Sequence, residues 1–416
     1  MVGRKKKPKA CDNGSHEDRI SQLPDDLISH ILTHLSTCDV LRTSLLSKRW
    51  ISLWERVPDL DLDSRSFSSF DALVRFTNRL LDKHKLSWIR KLRLNIRTHG
   101  IDDTSHLTPW IDAAVTQNIQ HLDVHFASLF MDQVQIPLNL YTCATLVHLR
   151  LYGACMVNAP EVFSLPCLKI MQLEYVNYPN EATLVKLISG SPVLEDLTVL
   201  RPSAILEVCS QRLKRFLMIK CYLTKNLKII NIGFTAKVDI DISLGTSYDL
   251  DANGSSTKSM VCNFLASISR TRCLAISHIT VKVYIHLQIS ETWLIVLARD
   301  NGEPKVMFSS VPPCLISSLK FAELKSPILG YEGEIELVRY FLKNSRVLEK
   351  LNLRFENHNR KKEKYVILQE LLAIPRCSST CEVSKQNTHS LVRKVNTQFP
   401  GKCLHFRQVI AFPSAK

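Results

Sequence analysis

Long apolar runs are missing from this sequence. No stretch approaches about 18 consecutive apolar residues, the length of a membrane-spanning helix, so no membrane partner is expected. The basic N-terminus is followed by no apolar segment, which argues against a secretory signal. Motifs that carry chemistry are missing too. There is no GxxxxGKS/T to cradle a phosphate, no GxGxxG, no HExxH and no GxSxG, so no catalytic residues can be named. The 13 cysteines are odd in number and match no paired zinc-ligand spacing; the nearest two, Cys377 and Cys381, have no second pair beside them. They are expected to be reduced thiols used as small buried hydrophobes, and no metal or cofactor is expected.

Net positive charge is scarce where a nucleic-acid groove would need it. The net charge is +15 over 416 residues. Residues 4–9, RKKKPK, hold five positive charges, and residues 358–416 hold eleven Lys or Arg against three Asp or Glu. That leaves a net of +2 for residues 10–357. A surface that neutralises phosphates along its length draws on cations throughout the fold, so this near-neutral body argues against nucleic acid as a partner. Residues 1–17 have almost nothing to bury and are expected to form a disordered basic tail. Within it Arg4, Lys5, Lys6, Lys7 and Lys9 fit a nuclear-import signal and a merely solvated tail equally well.

What is present is organised around residues 21–60, SQLPDDLISHILTHLSTCDVLRTSLLSKRWISLWERVPDL. Leu23, Leu27, Ile28, Ile31, Leu32 and Leu35 recur at helical spacing. Pro24 suits the first helical position and Asp25 and Asp26 the first turn, where the positive end of the helix dipole favours carboxylates. Thr37 and Asp39 open a second helix carrying Val40, Leu41, Leu45 and Leu46, and a short third carries Trp50, Leu53 and Trp54. Three such helices cannot bury this much apolar surface among themselves, so it is expected to meet either the rest of the chain or another protein.

The elements LPDDLISHIL, DVLRTSLLSKRW, LW and VPDLDLD, in this order, resemble a plant-type F-box, placed at 18–60. The resemblance implies docking of a Skp-family adaptor that links to a cullin and a RING protein. By motif position it implies adaptor contacts from Leu23, Pro24, Ile28, Ile31, Leu32, Leu45 and Trp50, while Leu27, Leu35 and Leu46 are as suited to holding the helices together. Trp50 can pack inward or face the adaptor; Lys48 and Arg49 beside it suggest one exposed side.

Residues 61–85 are expected to supply a linking helix through Phe70, Leu73, Val74, Thr77, Leu80 and Leu81. From there one template recurs: WIRKLRL (88–94), NIQHLDV (118–124), TLVHLRL (145–151), CLKIMQL (167–173), VLEDLTV (193–199) and RLKRFLM (212–218). Apolar residues fall at relative positions one, four and six, as in Ile89/Leu92/Leu94 or Leu146/Leu149/Leu151 (the tryptophan, asparagine or other leading residue counts as zero). The last two alternate with polar residues, so a short strand points one face inward and one outward. The central residues recur after 30, 27, 22, 26 and 19 positions, in the range of leucine-rich repeats. Helical pieces at 108–118 and 180–190 alternate with the strands. The expected fold is therefore α/β, a three-helix unit followed by an irregular leucine-rich-repeat solenoid over 86–310 with a parallel sheet on its concave face.

Shifted by 154 residues, LISGSPVLEDLTV (187–199) aligns with FLKNSRVLEKLNL (341–353), so a late segment reuses the mid-chain unit. Residues 312–384, through SSLKFAEL, YFLKNSRVLEKLNL and LLAIPRCSSTCEV, resemble the FBD domain that ends plant F-box proteins of this kind, and are expected to continue the solenoid. Between them KVDIDIS and ITVKVYIHL read as strands around a polar loop at 245–259, with Leu274 and Ile276 as another candidate strand. Residues 385–416 are a tail in which CLHFRQVIAF suits an edge strand.

His121, His125 and His148 fall on or beside repeat strands and read as surface or half-buried imidazoles rather than general bases. Asp59, Asp61 and Asp63 alternate as the solvent face of a strand, and the sequon at Asn253 has no secretory route to serve it. The resemblance implies a non-catalytic substrate-recognition subunit of a Skp-cullin-F-box ubiquitin ligase, holding an unknown target protein, in the nucleus and/or the cytoplasm. Two other readings stay open: a nuclear nucleic-acid-binding protein, and a scaffold that binds the adaptor without directing ubiquitination.

Overall fold

The computed structural model describes residues 20, 22–84, 88–98, 105–128, 133–156, 159–200, 207–210, 212–222, 228–232, 237–243, 271–276, 311, 313–328, 332–355 and 361–386. Three helices come first: α1 (Asp25–Leu32), α2 (Thr37–Thr43) and α3 (Lys48–Leu53). Strand β1 (Asp59–Asp63) and helix α4 (Phe70–His84) follow, then β2 (Lys91–Thr98), α5 (Leu107–Thr116), β3 (His121–Ser128), β4 (Val134–Gln135), β5 (His148–Tyr152) and β6 (Ala154–Cys155). The chain continues through β7 (Ile170–Glu174), α6 (Glu181–Ser189), β8 (Asp196–Leu200), β9 (Glu207–Ser210), β10 (Arg215–Tyr222), β11 (Lys228–Ile232), β12 (Lys237–Ser243) and β13 (Cys273–Ile276). Last come α7 (Pro313–Ser317), β14 (Phe321–Ile328), α8 (Glu332–Asn344), β15 (Lys350–Phe355), α9 (Lys361–Ala373) and β16 (Glu382–Gln386).

Twelve of these strands form one sheet in the order β1-β2-β3-β5-β7-β8-β10-β12-β13-β14-β15-β16. Every pairing within it is parallel. The short strands pair beside it, β4 with β6 and β9 with β11. Alternation along each strand sets its faces. In β1, β5, β7 and β8 the odd positions are half-buried and the even ones fully buried. The template residues Leu92, Leu94, Leu122, Val124, Leu149, Leu151, Met171, Leu173, Leu197 and Val199 all lie on the buried face. The leading apolar residues Ile89, Ile119, Leu146, Leu168, Leu194 and Leu213 are buried one turn earlier, as the spacing predicts.

A second repeat, in the backbone, fixes how one coil sits on the next. The carbonyl just before a strand accepts two N–H groups from the following coil. Pro58 accepts from Arg90 and Lys91, Arg90 from Gln120 and His121, Gln120 from Val147 and His148, and Val147 from Lys169 and Ile170. Lys169, Glu195, Arg272 and Lys320 do the same further along. One motif thus runs from the first helical unit to the C-terminal strands. At Gly153, with φ +69°, the backbone needs glycine, since a Cβ there would collide with the Phe126 carbonyl.

The helical unit is joined to this sheet. β1 is the sheet's first strand, so the boundary expected at residue 60 falls inside a strand. The outer edge of β1 would leave N–H groups unpaired. Thr37, buried at the start of α2, accepts the Asp61 N–H through Oγ1 at 2.7 Å. Ser36 rather than Thr37 caps α2, accepting from the Asp39 N–H. Pro24 is the cap residue of α1 rather than its first helical residue. Ile28, Leu32, Val40, Trp50, Leu53, Trp54 and Val57 belong to the same continuous core as the repeat leucines and as Leu348, Leu351 and Leu353 near the C-terminus. In the middle region KVDIDIS is strand β12, and Leu274 and Ile276 lie in β13. RKKKPK, the polar loop at 245–259, ITVKVYIHL and CLHFRQVIAF lie outside the described residues.

Leu149→Ala removes a fully buried side chain from the middle of β5 and should cost about 2–5 kcal/mol in urea unfolding. A loss below about 0.5 kcal/mol would remove Leu149 from the core. Thr37→Val keeps the shape but strips the acceptor from the Asp61 N–H, leaving a donor unpaired at the sheet edge. It should cost about 1–3 kcal/mol in the same measurement, against no change if that edge is satisfied by water instead.

Candidate functional site

Helix α1 carries two apolar stripes side by side, because residues 27 and 28 are about 100° apart on a helix of 3.6 residues per turn. Ile28 and Leu32, one turn apart, are buried. Leu27 and Ile31, one turn apart on the neighbouring stripe, are 52% and 48% exposed, and Leu35 beyond the helix continues that stripe. Past α2, Leu45 and Leu46 are 87% and 68% exposed. The face is held in shape by Asp25. Its carboxylate accepts from Arg49 Nε at 2.8 Å, and Arg49 also donates to the Leu23 carbonyl, tying the start of α1 to α3. Leu23 is half-buried by this clamp and Pro24 is exposed.

This geometry sorts the residues differently from the motif. Ile31 and Leu45, expected at an interface, are exposed, as is Pro24. Ile28, Leu32 and Trp50, also expected there, are interior residues of the helical unit. Trp50 is 5% exposed although Lys48 is exposed beside it. The reason is that α3 spends its one buried face on Trp50 and Leu53 and turns its lysine outward. Leu27, Leu35 and Leu46, suited on sequence to an internal role, are on the surface instead.

A second surface is the outward face of the sheet, where polar residues sit between template leucines. Neighbouring strands bring Asp61, Arg93, Asp123 and Arg150 into a row of alternating charge, and Glu174, two residues past the in-register Gln172, lies diagonally across from Arg150. Arg93 reaches Asp61 at 3.1 Å and Asp123 at 3.6 Å, and Arg150 reaches Asp123 at 4.0 Å and Glu174 at 3.4 Å. Burial pushes the Asp123 carboxyl above the usual range, against the pull of Arg150 and Arg93. Arg90 grips Asp59 with two bonds of 2.8 Å, Arg215 meets Asp196, Lys325 meets Asp239 and Arg354 meets Glu323. Half-buried rings lie among them: His125 stacks on Tyr152 with centroids 4.2 Å apart, and His121 and His148 meet edge to face. This row was legible in outline, since aligning the templates puts Arg93, Asp123 and Arg150 at one relative position.

Among the described residues no group of three His, Cys, Asp or Glu side chains could hold a metal ion. Cys38, Cys143, Cys155, Cys167, Cys273, Cys314, Cys377 and Cys381 are free thiols, with Cys377 exposed and Cys381 buried. No described helix is long and apolar enough to cross a membrane.

Fold and site together define a repeat protein of parallel strands that carries a fused helical unit with an unpartnered apolar face. Comparison with known proteins gives the family. The F-box domain model matches residues 20–61, the model described as FBD-associated F-box protein At5g56370, LRR repeats, matches 107–231, and the FBD model matches 308–353. The chain is 47% identical to the F-box/FBD/LRR-repeat protein At1g51370 of Arabidopsis thaliana, covering 92% of this chain and 99% of that one. It is 43% identical to At5g53840 of the same description and organism, over 90% of this chain and 97% of that one. The chain belongs to the F-box/FBD/LRR-repeat family.

The histidines of the outward face give a pH dependence. Burial, with Arg97, Arg150 and Arg93 nearby, pushes His125 from 6.5 down to about 4. Burial, with His121, Arg150 and Lys91, does the same to His148, again to about 4. The folded state thus favours neutral rings, while the unfolded chain takes up protons as the pH falls below about 6.5. The stability these rings contribute is therefore intact above about 6.5 and is lost as the pH falls towards about 4. Urea unfolding across that window should show the decline, and the double variant His125→Gln/His148→Gln should flatten it. An equal slope in the variant would assign the decline to other groups.

Proposed function

We propose that this chain is the substrate-recognition subunit of a Skp-cullin-F-box ubiquitin ligase, non-catalytic itself. The observation that carries the reading is the exposed apolar face of the F-box. Five large aliphatic side chains left exposed, on a unit whose inward stripe is already buried in the core shared with the repeats, are best explained by a protein partner that covers them. The F-box family points to a Skp-type adaptor as that partner. Pro24, Leu27, Ile31, Leu35, Leu45 and Leu46 then make the contacts, with Ile28, Leu32 and Trp50 shaping the helices from beneath.

The outward face of the repeats, or the helices behind them, would hold the target while the adaptor carries the cullin and RING subunits. The gain is proximity, since a tethered target sees a far higher concentration of the ubiquitin-charged enzyme than a free one. Work in the nucleus and/or the cytoplasm fits this role. The paired charges of the sheet speak against a nucleic-acid role: among the described residues they answer one another across strands and leave no continuous cationic track.

The test separates docking from folding. Ile31→Asp and Leu45→Asp change exposed residues and should abolish or strongly weaken adaptor recovery in a pull-down with the full chain, while thermal unfolding barely moves. Each should weaken binding by about 2 kcal/mol or more, the scale of an interface hot spot. Trp50→Ala, by contrast, should cost about 3–5 kcal/mol of stability, as a large side chain removed from a packed site. Undiminished adaptor recovery by both aspartate variants would sink the assignment.

A further inference from the structure

A hollow of about 330 Å³ opens on the outward face at the head of β2, β3 and β5, lined by Asp59, Arg90, Lys91, His121, Asp123 and His148. Parallel register sets Asp59, Lys91, His121 and His148 side by side on successive strands. Their commitments differ by sign. The carboxylates are matched by arginines: Asp59 takes the two-pronged bond from Arg90, and Asp123 has Arg93 and Arg150 as ion-pair partners at 3.6 and 4.0 Å. The donors are not. Lys91 has no carboxylate partner among the described residues. Among the described residues His148 Nε2 is buried with no hydrogen-bond partner, and the His121 and His148 rings meet edge to face. A buried polar atom without a partner costs free energy that a ligand can recover.

A hollow whose carboxylates are paired with arginines and whose donors are idle selects a ligand rich in acceptors. We propose that this hollow is a binding site for an anionic oxygen group, a phosphate or a carboxylate, held by the Lys91 ammonium and by N–H groups of His121 and His148. The volume admits such a group with part of what carries it, since a water molecule takes about 30 Å³. The imidazoles are faced by Asp59 from β1, Arg90 just before β2, Lys91 from β2, Asp123 from β3 and Arg150 from β5. Burial and the neighbouring cations keep both rings neutral in the empty site. An entering anion supplies the charge that favours their protonated form, so binding should draw in protons.

The site belongs to the chain itself and its test needs no adaptor. Sulfate is the probe, because its charge does not titrate near neutrality and any pH effect then reports the protein. Calorimetry of the full chain at constant ionic strength should show one saturable sulfate site. Its affinity should rise about tenfold between about pH 7.5 and pH 5.5, the range in which histidine changes charge. Lys91→Met keeps most of the side chain's bulk and should weaken sulfate at least about tenfold with unchanged thermal unfolding, while Lys91→Arg retains it. Inorganic phosphate and a short phosphoserine peptide then identify the source. Tighter binding of the peptide assigns a phosphorylated target segment, and tighter binding of phosphate assigns a free anion. The proposal is overturned if sulfate does not saturate, or if Lys91→Met binds it as well as the unaltered chain.

Discussion

The structure depends on one repeated interaction: at eight coils the carbonyl before a strand accepts two N–H groups from the next coil. From Pro58 to Lys320 this bond sets the spacing and direction of the strands. It explains why the repeat lengths vary without breaking the sheet. Intervals of 30, 27, 22, 26 and 19 residues change only what lies between the anchoring points. No coil buries its leucines alone, so the interaction is worth something only where neighbours stack on both sides. A parallel sheet built this way has two ends, and each end is a row of unpaired backbone groups.

The F-box answers that problem at the first end. Its last residues are strand β1, and Thr37 reaches back to the outer edge of that strand. The same three helices therefore cap the solenoid with one apolar stripe and present a second stripe to the outside. The double use accounts for the richness of Leu and Ile over residues 21–60: a cap needs one apolar face and a docking unit needs another. It also fixes the docking face relative to the sheet, since both sides share one continuous core.

The outward face follows a different rule. Its charges sit at the polar position of each repeat and answer one another across strands. Half-buried pairs of this kind add little net stability, because desolvation offsets most of the attraction. Their effect is on selectivity: a face with most of its charges paired favours no polyion, and specificity falls to the few groups left over. Lys91, His121 and His148 are such groups.

The sequence by itself determined the repeat and its inward residues. Ile89, Leu92 and Leu94, and their counterparts in each coil, could be read because strand alternation is a local property of neighbouring positions. The F-box and FBD segments were legible for the same reason, as short ordered patterns. Only the tertiary structure decided which stripe of α1 turns inward. Both stripes are apolar, and the choice between Ile28 and Leu27 depends on Trp50, Leu53 and β1, which arrive from further along the chain. Trp50 beside Lys48 and Arg49 read as half exposed for want of that information. The pairing of charges was likewise out of reach, since Arg93 finds Asp61 across 32 positions and Arg354 finds Glu323 across 31. Periodicity is written in adjacent residues, whereas burial and pairing are set by what the fold brings alongside.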